Sequence, residues 1–168
     1  KLKTLDAELQ QLQKERQRLT VVSLQTKVQE AREAAERAGA KQWAEELFEQ
    51  GRGFEERASL YLHDEQYQLT QEAFESARGL FIQATEATEK AKLRSHAEQA
   101  RREVETTKEK ADRYSAQEKV RTRYDQALAL FVQAEAEFKQ EAYDDACKLY
   151  AEALSQFEDT HDLARHES

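Results

Sequence analysis

The sequence predicts an all-α protein, and three observations support that prediction. The 168 residues contain no proline and only four glycines, and these two residue types break helices most strongly. Charged residues make up 36% of the chain, well above the roughly 25% of an average globular domain, which favours narrow apolar stripes on long helices. Large apolar residues recur at spacings of three and four, and no run alternates apolar and polar residues as a strand would.

The first element is a leucine stripe within residues 1–23. Its members recur at heptad spacing and therefore predict a coiled-coil segment. A seam of under three heptads is marginal alone, so we expect it to pair with a second copy or with another part of a complete protein. The chain starts with Lys1 and contains no methionine, so we interpret it as a fragment. The stripe consists of Leu2, Leu5, Leu9, Leu12 and Leu19.

Residues 24–92 predict a first unit of three helices. The first helix should end at Gly39, because a glycine just past a helix commonly adopts the left-handed terminating conformation. A second helix should start near Lys41. A turn over residues 61–65, with Asp64 as the N-cap of the next helix, should lead to a third helix from Tyr67.

Residues 93–123 predict a connecting helix, and residues 124–168 a second helical hairpin. The apolar spacing shifts between residues 115 and 123, so two interpretations stay open there. Either one central helix runs unbroken from Tyr67 to about Lys139, or a turn interrupts it. Within the second hairpin we expect the turn at residues 140–142.

Similar residues in the two hairpins indicate an internal repeat. In one register, which we call the tyrosine register, Tyr67, Phe74, Ala77 and Phe81 match Tyr143, Tyr150, Ala153 and Phe157. In a second, which we call the leucine register, Leu47, Phe48 and Gly51 match Leu130, Phe131 and Ala134. Matched residues are 76 positions apart in the tyrosine register and 83 positions apart in the leucine register. This difference predicts seven extra residues in the turn region of the first copy.

These hairpins resemble the tetratricopeptide repeat, which alternates large, small and aromatic residues on two helices. The resemblance implies helical hairpins that serve as a scaffold for protein partners. The residues expected to form the repeat core are Leu47, Gly51, Phe54, Tyr67, Phe74, Ala77, Phe81, Leu130, Ala134, Phe138, Tyr143, Ala146, Tyr150, Ala153 and Phe157. The Ala-rich run that ends at Gly39-Ala40, followed by Trp43, is also similar to repeats of bacterial envelope lipoproteins. That resemblance implies the bacterial cell envelope; a cytoplasmic location is the alternative.

Residues with catalytic or metal-binding potential are scattered along the sequence. The four histidines do not form a helical ligand pair, and the single cysteine, Cys147, has no histidine near it in sequence. The paired carboxylates fall on solvated faces, and no glycine-rich phosphate loop is present. We therefore predict a protein that is not an enzyme and needs neither a cofactor nor a metal.

Charge is distributed in blocks. Residues 40–89 carry a net charge of −7 and residues 124–168 carry −8, whereas residues 90–123 carry +5. The acidic blocks should repel nucleic acid and anionic membranes, and no apolar run is long enough to span a membrane. The basic block is interpreted as a solvated helix, with a dock for an acidic partner as the alternative.

The sequence therefore predicts a scaffold for protein–protein interaction that presents two acidic helical units at a fixed spacing. Exposed aromatic residues are the expected contacts with a partner, because Trp and Tyr are common at binding hot spots. The alternatives are a coiled-coil spacer that acts as a homodimer, and an accessory domain of a larger enzyme or sensor. The expected partner-binding residues are Trp43, Tyr61, Tyr114 and Tyr124.

Overall fold

The computed structural model describes residues 1–167, and these residues form seven helices and no strand. The predicted all-α class is confirmed. The helices group into two compact units: a first unit, Lys1–Glu89, and a second unit that begins at Lys90. In chain order the helices are α1 (Leu2–Ala38), α2 (Ala40–Trp43), α3 (Glu45–His63), α4 (Tyr67–Arg113), α5 (Ala116–Lys119), α6 (Arg121–Lys139) and α7 (Tyr143–His166).

The core of the first unit lies between α1, α2, α3 and the first part of α4. Gly39 ends α1 as predicted: it has φ 97°, and its N–H donates to the Ala35 carbonyl. Phe48 and Phe81 meet at a ring-centroid distance of 5.4 Å in the middle of this core. The buried residues are Val21, Val28, Ala35, Ala40, Phe48, Ala58, Ala73, Phe74, Ala77, Phe81 and Ala84.

The core of the second unit begins on the later part of α4. Ala97, Val104 and Ala111 are fully buried there, so the prediction that residues 93–123 merely connect two hairpins is wrong. Of the two interpretations left open for the central helix, the one with an interrupting turn is correct. A long helix α4 exists, but it ends at Arg113, and Ser115 adopts the left-handed conformation with φ 55° before α5 begins.

The two units show the same order of elements in the tyrosine register. Both contain a left-handed break, a one-turn helix, a 19-residue helix, a second left-handed residue and a long helix. The core positions agree as well: buried Phe48 corresponds to Tyr124, and buried Gly51 corresponds to Ala127. The leucine register and the seven extra residues in the first turn region are therefore wrong. Seven residues are nearly two helical turns, so a shift of seven preserves the apolar face.

The turn between α3 and α4 also differs from the prediction. Asp64 is the C-cap of α3, not the N-cap of α4, and its carboxylate lies 3.3 Å from the ring of His63. The chain reverses at Glu65, which has φ 55°, and Glu141 makes the same reversal in the second unit with φ 61°. The turn is thus equally tight in both units, and α4 begins at Tyr67 as predicted.

Candidate protein-binding surface

The four aromatic residues expected to bind a partner differ in exposure. Trp43 is 40% exposed at the end of α2, and Tyr61 is half-buried near the end of α3. Tyr114 is 37% exposed and meets the edge of the His161 ring at 5.3 Å. The prediction for Tyr124 is wrong, because this residue is only 3% exposed and belongs to the core of the second unit.

Tyr124 is held in place by the residues around it. Its hydroxyl donates a 2.6 Å hydrogen bond to the Asp112 carboxylate, and its ring meets Phe157 edge-on at 5.6 Å. Burial is the main reason why the pKa of the phenol is raised. A buried tyrosine with its hydroxyl bonded inside the unit cannot anchor a partner. Its role is therefore structural.

The expected core residues lie in or against the two cores. Four of the fifteen are half-buried aliphatic or aromatic residues that pack on the buried ones: Leu47, Phe54, Leu130 and Phe138. Tyr67 is also half-buried, and the other ten are buried. Phe54 is of most interest among them, because one side of its ring faces a groove.

This groove lies between α3 and α4 of the first unit, and we call it the aromatic groove. Its cavity volume is about 230 Å³. Arg57 covers the ring of Phe54 at 4.2 Å, an arrangement that holds both side chains at the groove wall. Leu69 is 43% exposed there, although it is a large apolar residue. The lining residues are Phe54, Arg57, Tyr61, Leu69, Glu72, Ala73 and Ser76.

Helical periodicity explains how the chain builds this surface. Phe54 and Tyr61 are seven residues apart, so they lie on one face of α3 about two turns apart. Leu69, Ala73 and Ser76 follow at spacings of four and three and form the facing stripe of α4. The groove therefore has an aromatic wall on α3, formed by Phe54 and Tyr61, and a facing wall on α4, formed by Leu69, Ala73 and Ser76.

The part of the chain that carries the groove, residues 40–89, has a negative net charge. Glu72 belongs to the lining itself, and Arg57 is the one cation among the lining residues. The first turn of α3 carries Glu45 and Glu46, and residues 40–89 have a net charge of −7. A largely apolar groove on an acidic unit is complementary to an apolar ligand that carries positive charge at its edges.

The second unit shows that the fold does not require this groove to be aromatic. In the tyrosine register, Tyr61 corresponds to Glu137 and Leu69 corresponds to Asp145. Lys148, which corresponds to Glu72, lies 3.5 Å from Asp144 and 3.9 Å from Asp145. The same helix pair thus folds with charged side chains at the positions of Tyr61 and Leu69, and the residue at the Leu69 position takes part in an ion pair.

Sequence reasoning missed Arg57, Leu69 and Glu72 as members of this surface. These residues follow no motif, and Leu69 falls outside the apolar stripe that faces the core. One signal could have found them. In the tyrosine register Leu69 aligns with the charged residue Asp145. An apolar residue that is exposed in only one copy of a repeat indicates a binding surface specific to that copy.

Other polar clusters in the second unit have structural explanations. The Tyr150 hydroxyl donates to the Glu135 carboxylate, which also lies 2.7 Å from Arg101. Burial, followed by this hydrogen bond, raises the pKa of Tyr150. Lys90 pairs with Glu141. Lys90 and Arg101, two cations of the basic block, are therefore neutralised within their own unit. Cys147 is a separate case, because burial raises the pKa of its thiol.

The leucine stripe of α1 is a second exposed apolar surface, which we call the leucine seam. All of residues 1–20 are exposed, and the first buried residue of α1 is Val21. The exposed fractions are 80% for Leu2, 60% for Leu5, 55% for Leu9, 68% for Leu12 and 60% for Leu19.

Metal sites, membrane-spanning helices and similarity to known proteins were also considered for this chain. Among residues 1–167, no three His, Cys, Asp or Glu side chains converge on a point where a metal ion could bind. None of the described helices combines the length and the apolar character needed to cross a bilayer. No family model, no curated protein and no solved structure matches the chain. The resemblance to the tetratricopeptide repeat thus stays a prediction.

Proposed function

We propose that this chain is a non-catalytic scaffold that binds another protein through the aromatic groove of its first unit. The occupant is an amphipathic helix of the partner, with apolar residues on one face and Lys or Arg beside them. Helices commonly bind into grooves between two helices in this way, through apolar anchors spaced over two turns.

The observation that supports the proposal best is the difference between the two units. Both units have the same order of helices, yet the first has a half-buried Tyr61 and an exposed Leu69 where the second has Glu137 and Asp145. Exposed apolar residues lower solubility, and the second unit shows that the fold does not need them here. A binding role accounts for their presence, and tyrosine is among the residues enriched at binding hot spots.

The acidic surroundings favour a basic partner. Charges at the rim of an interface mainly steer association and select the partner, whereas the apolar centre provides most of the affinity. The binding of a basic helix should therefore weaken and slow with added salt. It should disappear when the apolar centre is replaced by charge.

A peptide display selection tests the proposal. A library of helix-forming peptides is selected on the wild-type chain and then titrated against a variant that carries Tyr61→Glu and Leu69→Asp. Both substitutions install the residues of the second unit, so the fold should tolerate them. We expect peptides with apolar residues at spacings of three and four and flanking Lys or Arg. Their affinity for the variant should fall by about 1,000-fold, the effect of losing two hot-spot contacts of about 2 kcal/mol each.

A matched control is Trp43→Lys, which installs the residue found at Lys119 of the second unit. Trp43 is not among the lining residues of the groove, so this variant should bind the selected peptides as the wild type does. If the selected peptides bind the double variant with unchanged affinity, the aromatic groove is not the binding site and the proposal fails.

A further inference from the structure

The leucine seam of α1 points away from the core of its own unit. In a heptad assignment with Leu2 and Leu9 at position a and Leu5 and Leu12 at position d, the buried Val21 falls at position f. Position f lies on the side of the helix opposite to positions a and d. The seam is therefore not an extension of the unit core, and its large exposed area indicates a surface that another helix covers.

One structure that could cover the leucine seam is a helical hairpin like α2 and α3. The equivalent residues of the two units indicate how such a hairpin would pack on the seam. Leu5 and Leu12 correspond to Phe81 and Thr88, which face the core of the first unit. A hairpin packed on the seam in the same way would, however, also cover the position of Glu8. That position is Ala84 in the first unit and Thr160 in the second, and both are fully buried. A hairpin would thus bury the Glu8 carboxylate without a partner, which is unfavourable.

A single partner helix avoids this burial. A two-helix coiled coil buries positions a and d, and leaves position g, where Glu8 lies, at the solvated edge. Leucine fills five of the six seam positions between Leu2 and Leu19, and Arg16 fills the sixth. Because the stripe is a regular heptad pattern, it is complementary to another copy of itself.

Arg16 determines the orientation of the two helices. A parallel pair would place the two Arg16 side chains against each other at an a position, and like charges repel there. An antiparallel pair places Arg16 opposite Leu5 of the second copy, within a turn of Asp6 and Glu8 of that copy. Leu2 then meets Leu19, and Leu9 meets Leu12. All seam positions apart from the Arg16–Leu5 pairs thus place leucine against leucine.

We infer that two copies of this chain associate through the leucine seam as an antiparallel two-helix coiled coil, with the two-fold axis between Leu9 and Leu12. This site is separate from the aromatic groove, so the inference goes beyond the proposed function and does not depend on it. The interface extends only from Leu2 to Leu19, under three heptads, and a coiled coil this short is weak. We therefore expect a dissociation constant on the order of 10 µM.

Sedimentation equilibrium of the whole chain tests the association. The wild type should shift from monomer to dimer across concentrations of roughly 1–100 µM, which bracket the expected dissociation constant. A variant with Leu9→Asp and Leu12→Asp should remain a monomer throughout. Residues 1–20 do not contribute to the core and contain no aromatic residue, so the near-ultraviolet circular dichroism spectrum of the variant should match that of the wild type.

Two controls separate this result from other effects. Val132→Asp places one aspartate on an apolar residue outside the seam, 60% exposed on α6, and should dimerise as the wild type does. The variant with Tyr61→Glu and Leu69→Asp should also dimerise, so a failure of the groove proposal would not affect this test. A wild type that stays monomeric over the whole range would overturn the inference.

Disulfide trapping tests the orientation. In a Cys147→Ser background, Leu2→Cys and Leu19→Cys are each prepared and then oxidised alone and as a mixture. In an antiparallel pair of Leu2→Cys chains, the two introduced sulfurs lie about 26 Å apart along the helix, at a rise of about 1.5 Å per residue. Only the mixture should then yield a cross-linked dimer. Efficient cross-linking of each variant alone would establish a parallel pair and overturn the antiparallel arrangement.

Discussion

Replacing Gly51 with alanine should destabilise the first unit, although alanine is the better helix former. A Cβ atom at Gly51 would lie 2.9 Å from Cε1, 3.0 Å from Cδ1 and 3.2 Å from Cζ of Phe81. Phe81 is fully buried against Phe48 and has no solvent to move into. Overpacking of this kind costs about 1–3 kcal/mol. The better helix propensity of alanine returns about 1 kcal/mol, so the net loss should be about 0–2 kcal/mol.

Gly53 provides the matched control in the same helix. A Cβ atom at Gly53 meets no atom within 4 Å, so Gly53→Ala should gain the full helix propensity, about 1 kcal/mol. The difference between the two variants isolates the contact with Phe81 and should be about 1–3 kcal/mol. Urea unfolding followed by circular dichroism measures both free energies of unfolding, with identical analysis for the two variants.

The second unit indicates how the clash could be relieved. Alanine stands at the equivalent position there, Ala127, and the ring pair Tyr124–Phe157 meets at 76° rather than at the 57° of Phe48–Phe81. A similar rotation of the Phe81 ring would relieve the clash, and the loss in the free energy of unfolding of Gly51→Ala would then lie near the lower end of its expected range. If Gly51→Ala stabilises the chain as much as Gly53→Ala does, the close packing on Phe81 has no energetic consequence and the reasoning is refuted.

Other contacts of the two units predict measurable effects as well. Tyr150→Phe removes the hydroxyl that donates to Glu135 and should lower the free energy of unfolding by about 1 kcal/mol; an unchanged urea midpoint would contradict this. Glu65→Gly should raise the thermal midpoint, since glycine relieves a left-handed backbone strain of about 1 kcal/mol. Glu141→Gly relieves the same strain but also loses the pair with Lys90, so its gain should be smaller; equal gains would show that the pair contributes nothing. Lys90 holds the pKa of the Glu141 carboxyl below its ordinary value of 4.5, so this pair stabilises the fold above that pH and loses its effect as the pH falls. A Glu141→Gln variant should therefore lose less stability than the wild type between roughly pH 6 and pH 3, and parallel acid-unfolding curves would contradict the assignment.

The sequence predicted the helices and their ends well wherever the local chemistry was distinctive. The absence of proline and the spacing of the apolar residues predicted the all-α class, and Gly39 predicted the end of the first helix. The equivalent break in the second unit occurs at Ser115, which is not a residue that signals a left-handed stop. The sequence therefore left that break undecided, because tertiary packing rather than local preference holds Ser115 in this conformation.

The register of the repeat could not be chosen from apolar spacing alone. The tyrosine register and the leucine register place the same helix faces in the core, because they differ by seven positions and seven residues are almost two turns. The structure distinguishes them through side chains that meet in space, such as Phe48 with Phe81 and Tyr124 with Phe157. The same ambiguity explains the error for Tyr124, which looked like an edge residue of the stripe but corresponds to the buried Phe48.

The candidate site was predicted only in part. Tyr61 was expected to bind a partner, and the structure places it in the aromatic groove. The facing residues on α4, above all Leu69, could not be connected to it without the packing of α3 against α4. An exposed leucine carries no signal in a single sequence, since scattered surface leucines are common.

The most direct test of the central claim is to locate the bound peptide on the chain. A peptide selected for the wild type is added to the ¹⁵N-labelled protein, and the amide shifts in NMR spectra are followed during the titration. The largest shifts should cluster at residues 54–61 and 69–76, on the two walls of the aromatic groove. Shifts that cluster instead at the equivalent residues 130–137 and 145–152, or that spread over the chain without a maximum, would contradict the claim.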